Sequence, residues 1–206
     1  MIIKREIHGH RIVAECSESN SRTAASVLDT FMRLAASGTP IRVGTQIRFG
    51  WSLLRLADDR GALRVTEPDF ARWPEPHWVP TIDVTLNTLA VQTQLLHRLK
   101  VDGEDVFFDQ SIIAARGAVE QPNIFLRHGS SIAAEDSGWV LGTLDDPEAL
   151  SRGEDLEAVS IASLVVHRPG LLQVLTLPSD FVVLFSGDLV EQIYDADGCA
   201  CLSANA

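Results

Sequence analysis

Eight carboxylates fall within residues 135–157, namely Glu135, Asp136, Asp145, Asp146, Glu148, Glu154, Asp155 and Glu157, with Arg152 as the one base among them. A segment of net charge −7 can do two kinds of chemistry. Converging carboxylates hold a hard divalent cation. An uncompensated negative field instead steers a cationic macromolecule to the surface and speeds its encounter. Neighbouring acids such as Asp145 and Asp146 usually point apart into water, so no metal is expected. The segment reads as a docking surface for a basic protein, with a solvated acidic loop as the alternative.

Other residues with chemical potential lead less far. His8 and His10 stand two apart, but no further His or Cys completes a zinc site at a recognised spacing. Asp195-Ala196-Asp197-Gly198 opens like a calcium loop, yet its glycine comes fourth rather than sixth and no glutamate follows at the twelfth position, so a turn is expected. Cys16 could act as a nucleophile only beside a base drawn from His8, His10, His77, His97, His128 or His167. The chain lacks Gly-x-Gly-x-x-Gly, a phosphate loop ending in Gly-Lys-Ser or Gly-Lys-Thr, Gly-x-Ser-x-Gly and His-Glu-x-x-His. No catalytic residue, cofactor or metal is therefore assigned. A small metal- or metabolite-binding enzyme, with a pocket of Trp, His and acid residues between the two halves, is the alternative function.

Charge is distributed unevenly along the 206 residues. Residues 1–100 hold 13 Lys or Arg and 10 Asp or Glu, net +3, whereas residues 101–206 hold 4 and 18, net −14. The acidic half repels phosphate backbones and anionic lipid, so neither nucleic acid nor a membrane surface is an expected partner. Three cysteines, Cys16, Cys199 and Cys201, make no disulfide framework and suit a reduced compartment. The start Met1-Ile-Ile-Lys-Arg-Glu6 reaches charge after three residues, and the longest strictly apolar run is Phe181 to Phe185. Neither a leader nor a span of about 20 apolar residues is expected, which places the protein in the cytoplasm.

The elements that must carry these residues form an α+β pattern with mostly antiparallel sheet and two or three packed helices. Alternation in Ile2–Ile7 and Arg11–Glu15 predicts a hairpin across His8-Gly9-His10. Ser19 or Asn20 can cap a helix whose Ala24, Val27, Leu28, Phe31, Leu34 and Ala35 recur at helical spacing up to Gly38. Thr45–Leu56 and Leu63–Val65 read as two strands joined by Asp58-Asp59-Arg60-Gly61. A proline-rich loop over Pro68–Pro80 precedes a helix over Val84–Leu99. Beyond it come a strand at Val106–Phe108, a short helix at Ile112–Val119 and a strand at Ile124–Leu126. Gly129–Leu156 is expected to be mostly loop around a short strand at Trp139–Leu141. Ser160 can cap a helix to His167, stopped by Pro169-Gly170. Phe181–Phe185 and Leu189–Tyr194 form a hairpin, and the end with Cys199 and Cys201 reads as weakly packed. A seam near residues 118–123 would divide the chain into 1–122 and 123–206.

Within Glu135-Asp136-Ser137-Gly138-Trp139 the residue types have a local logic. Asp and Ser side chains accept from following backbone amides, Gly permits a turn other residues resist, and Trp anchors the entering strand in a core. This tetrapeptide, Phe125-Leu126-Arg127-His128 before it, the acidic stretch after it, and the helix and apolar hairpin that follow together resemble a bacterial immunity-protein family of polymorphic toxin systems, of the immunity protein type thirty-three-like kind. The similarity covers roughly residues 123–197, and Phe49-Gly50-Trp51-Ser52 with Glu67-Pro68-Asp69-Phe70 resembles a longer version of the family. The resemblance implies a non-enzymatic protein that binds a cognate toxin and blocks its active site. A toxin with a basic active-site face is the partner that the acidic residues suit; the oligomeric state stays open.

Overall fold

A computed structural model describes residues 1–131, 133–153 and 155–203, without the side chain of Ser151. The chain divides into two compact units, residues 1–90 and 91–206.

In the first unit, strands β1 (Ile2–Ile7) and β2 (His10–Glu15) form the expected hairpin, and helix α1 (Ser21–Ala36) follows. Strands β3 (Gln46–Phe49), β4 (Ser52–Asp59) and β5 (Ala62–Pro68) complete the order β1-β2-β5-β4-β3, and the two-residue β6 (Trp78–Val79) pairs with β5. Only β2 and β5 run parallel in this sheet. Ala24, Val27, Leu28, Phe31 and Ala35 of α1 are buried in one cluster with Ile12, Leu54, Leu56 and Val65 of the sheet. The single strand expected over Thr45–Leu56 is two, because Gly50 turns at φ +58° and lets Phe49 pair with Ser52. That tight connection favours glycine for its left-handed backbone.

Helix α2 (Asp83–Leu99) begins in the first unit. Its opening turn is fixed by carboxylates. Glu67, fully buried on β5, accepts from the Val84 amide at 3.1 Å and the Thr85 amide at 2.7 Å. Asp83 accepts from the Ser17 amide and hydroxyl, each at 2.8 Å, and from Asn20 Nδ2 at 2.7 Å. Asn20 thus spends its side chain on α2 instead of capping α1. Trp51 stacks on Phe70 with centroids 5.1 Å apart and donates from its indole nitrogen to the Thr85 carbonyl at 3.1 Å, so the two N-terminal motif segments meet at this helix start.

The second unit holds the rest of α2 and a seven-stranded sheet. Its strands are β7 (Ser111–Ala115), β8 (Asn123–His128), β9 (Asp136–Thr143), β10 (Leu156–Ser160), β11 (Val182–Ser186), β12 (Leu189–Tyr194) and β13 (Ala200–Ser203). Their spatial order is β10-β7-β9-β8-β11-β12-β13, antiparallel except where β7 meets β9. Short helices α3 (Ala149–Arg152) and α4 (Ile161–His167) flank β10, and a 3-10 segment over Pro169–Val174 follows α4. Ile112, Ile124, Leu126, Trp139, Leu141, Leu164, Leu171, Val183 and Phe185 are all buried.

Several expectations are corrected here. Val106 and Phe108 are buried anchors of a loop rather than a strand, and the apolar run from Ile112 is strand β7 with a 3-10 turn at Ala118–Glu120, not a helix. A four-residue apolar run has no period to separate the two, and β-branched Ile112 and Ile113 suit a strand enclosed by neighbours on both sides. Strand β10 was not foreseen, and β9 begins at Asp136 instead of Trp139. The tail through Ser203 is an added strand against β12. Residues 118–123 join β7 and β8 of one sheet, whereas the observed division falls at 90/91. Among the described residues no helix is long and apolar enough to cross a membrane.

Candidate partner-binding surface

The Asp-Ser-Gly-Trp segment sits at the start of β9, where the pairing with β7 jumps from Ser111↔Asp136 to Ile113↔Val140. Two extra residues on β9 make a bulge there. Asp136 Oδ1 accepts from the Gly138 amide at 2.9 Å, and the Ser137 hydroxyl donates to the Ser111 carbonyl at 2.9 Å. Gly138 has φ +80°, and a Cβ on it would lie 2.5 Å from the Gly129 carbonyl oxygen. Trp139 is fully buried, donates to the Leu175 carbonyl at 2.8 Å and stacks on buried His128 with centroids 4.5 Å apart. His128 directs Nδ1 at the Leu177 carbonyl, 2.7 Å away, and Nε2 at the Ser137 carbonyl, 3.2 Å away. Every side chain of this motif is committed to the fold.

The eight acids do not form one surface. Strand β9 has eight residues, about 23 Å at roughly 3.3 Å each, and separates them into two groups. Glu135 and Asp136 lie at its beginning, the near end. Asp145, Asp146 and Glu148 lie beyond its last residue, and Asp155 and Glu157 stand level with its final residues across β7, together the far end, where Glu120 from the turn after β7 joins them. Glu154 falls outside the described residues.

At the far end Asp145, Asp146, Glu148 and Asp155 are exposed and Glu157 is half-buried. Arg152 pairs with Asp146, and this hydrogen bond holds the Asp146 carboxyl below the usual carboxylate range. Arg116 stands 3.6 Å from Asp155 and 4.0 Å from Glu157, which also accepts from the Gly117 amide at 2.9 Å. Asp145 and Glu148 make no salt bridge among the described residues. With Glu120 and the Arg168-paired Asp188 of the β11–β12 hairpin counted, seven carboxylates face three guanidiniums here among the described residues.

Sequence reading missed what the near end contains. Asp102, Glu104, Asp105 and Asp109, in the loop before β7, reach the same end as Glu135 and Asp136, and so does Asp180. Their signal was present as four acids within eight residues, but the window on 135–157 excluded them. Glu104 accepts from the Ser179 amide at 2.8 Å and hydroxyl at 3.1 Å, and its carboxylate is 3.9 Å from His128 Nε2. Also missed were two leucines at the far end, Leu144 at 40% and Leu189 at 74% exposure.

The remaining candidates stay apart. His8 and His10 are exposed at the first hairpin, and Cys199 and Cys201 are exposed on the last strand. Cys16 is buried, and burial together with the Asp83 carboxylate pushes its thiol up, against thiolate formation. Asp195 turns β12 into β13 by accepting from the amides of Asp197 at 3.0 Å and Cys199 at 2.8 Å. Among the described residues no three His, Cys, Asp or Glu side chains converge as metal ligands.

The bulged, mostly antiparallel sheet with its acid-rimmed far end defines the second unit as an α+β domain in which the Asp-Ser-Gly-Trp segment is architectural. The Imm33-like domain matches residues 91–196, just over half of the chain, and the protein belongs to that family. The match begins where the second unit begins, at Val91 inside α2, well before the stretch from residue 123 that carries the tetrapeptide resemblance. No curated protein and no solved structure matches the chain.

Proposed function

We propose that this protein is an immunity protein that acts in the cytoplasm without catalysis, binding a cognate toxin and covering its active site. Membership of the Imm33-like family carries the reading. The far end of the seven-stranded sheet is the surface we assign to the toxin, through Asp145, Asp146, Glu148, Asp155 and Glu157. Its negative field complements the basic active-site face of an enzyme acting on nucleic acids or nucleotides and accelerates encounter. Near-end Asp136 is assigned to the fold instead, through its bond to the Gly138 amide. The width of the sheet supports the assignment: seven strands about 4.8 Å apart span roughly 29 Å, the breadth of a standard footprint of about 800 Å² per partner.

The test is to read the adjacent reading frame for a large secreted polypeptide and to co-express its C-terminal module with this protein. Wild type is expected to rescue growth, and a variant with Asp145, Asp146, Glu148 and Asp155 changed to Lys is expected to rescue less while remaining folded. Equal rescue by that variant sinks the surface assignment. An adjacent frame with no toxin module, or a module that wild type does not neutralise, sinks the function itself.

A further inference from the structure

The β11–β12 hairpin at the far end is held by an unusually complete set of bonds. Arg168, only 8% exposed, donates from Nε to Asp188 Oδ1 at 2.8 Å, from Nη1 to the carbonyls of Val119 at 2.6 Å and Gln121 at 2.9 Å, and from Nη2 to the Gly187 carbonyl. The Gly187 amide donates to the Pro122 carbonyl at 2.8 Å. Gly170 closes the other side, since a Cβ there would lie 2.2 Å from the Asp188 carbonyl oxygen. One buried cation thus ties the 119–121 turn to the hairpin, and its planar fork donates to three backbone carbonyls at once.

What this staple presents is Leu189, 74% exposed, the most exposed large apolar side chain in the described chain. It borders an open groove of about 400 Å³ that sets Leu95, Val190 and Leu202 beside one cation, Arg98, and one carboxylate, Asp188. Across the sheet, Leu144 hydrogen-bonds through its amide to Asn123, which pairs with Ser186 on β11, which pairs with Leu189. Three strand spacings put the two leucines about 14 Å apart on one end of the sheet, at about 4.8 Å per spacing. Asp145 and Asp146 follow Leu144 directly in the chain.

We infer that Leu189, fixed by the Arg168 staple, is the apolar anchor of the toxin interface, with Leu144 as its satellite. The partner it fits is a basic protein with an apolar notch inside a cationic rim. The inference rests on the toxin-binding reading and deepens it. An apolar side chain carried on a backbone fixed before binding spares the ordering of that backbone on docking, and interfaces place such anchors inside a polar rim. The negative rim at the same end excludes anionic surfaces and favours a cationic partner.

The two roles separate kinetically, because rim charges act on association and desolvated anchors act on dissociation. With the adjacent-frame toxin module as probe, Leu189→Ala is expected to speed dissociation about tenfold or more with association unchanged, and Leu144→Ala to speed it less. Changing Asp145 and Asp146 to Lys is expected to slow association. Arg168→Lys is expected to raise amide exchange at Gly187 and Leu189 and to speed dissociation in the same direction as Leu189→Ala. If Leu189→Ala dissociates like wild type while the charge variant associates slowly, the anchor is refuted and the immunity reading stands. If neither variant changes binding, the anchor and the far-end surface both fall, and if the module does not bind wild type the immunity reading falls. If the purified protein sediments as a dimer that Leu189→Ala makes monomeric, the leucine serves self-association and the inference is overturned.

Discussion

The two ends of the seven-stranded sheet carry similar numbers of acids and use them differently. At the near end, Asp136 accepts the Gly138 amide and Glu104 accepts Ser179 twice, so those two carboxylates are tied into loop backbone. At the far end, Asp145 and Glu148 stand exposed without a salt bridge among the described residues, beside two exposed leucines. Formal charge cannot distinguish an architectural carboxylate from an available one; backbone partners and exposure can. Glu67 of the first unit is the extreme of the architectural kind, fully buried with two backbone amides as its acceptors' partners and no salt bridge among the described residues.

The comparison predicts the largest stability losses where the near-end motif meets the core. Trp139→Ala is expected to cost about 4 kcal/mol, since a fully buried indole, its bond to Leu175 and its stack on His128 all disappear. Chemical denaturation reads this directly; a loss under about 1 kcal/mol would show that the near end is not architectural.

Glu67 gives the next effect, as a pH dependence. Burial raises its carboxyl from 4.5 to about 7. Between those values the folded protein holds a proton that the unfolded chain has released. Stability from this group is therefore fully present below about pH 4.5, falls as pH rises and is lost above about 7, a swing of order 3 kcal/mol. Glu67→Gln is expected to flatten that segment of a stability-versus-pH curve, and an unchanged slope in the variant would contradict the assignment.

Smaller still is Asp136→Ala, which removes the acceptor for the Gly138 amide and is expected to cost about 1 kcal/mol, leaving toxin binding intact. A binding defect without a stability defect would move the interface to the near end. Smallest is Asp145→Lys, expected to stay within about 0.5 kcal/mol of wild type in thermal unfolding, because the side chain is exposed and makes no salt bridge among the described residues.

Much of the fold was legible where a period ran long enough to declare itself. Helix α1 shows its apolar stripe from Ala24 to Ala35, the hairpin at His8-Gly9 combines alternation with turn residues, and the one at Ser186-Gly187-Asp188 sets a short apolar run before its turn residues. The segments β7 and β10 were not legible, since Ile112–Ala115 and Leu156–Ser160 are too short to choose between helix and strand without their sheet neighbours. The architectural roles of Asp136 and Trp139 could be read from residue types alone, because one accepts an amide two residues on and the other enters the core, whereas the bond from Ser137 to Ser111, 26 residues away, could not. The division of the acids between two ends could not, because it depends on the direction of β9. Nor could the Arg168 staple, whose partners lie 19 to 49 residues away.

The most direct test of the central claim is the association rate of the adjacent-frame toxin module, measured from low to physiological salt. Two charge-reversed proteins would be compared: one with Asp145, Asp146, Glu148 and Asp155 changed to Lys, the other with Asp102, Asp105 and Glu135 changed to Lys. The account predicts that the far-end variant associates at least about tenfold more slowly than wild type at low salt, with the gap closing as salt rises, while the near-end variant keeps the wild-type rate. Equal slowing by both variants, or a far-end variant that associates as fast as wild type, would contradict it.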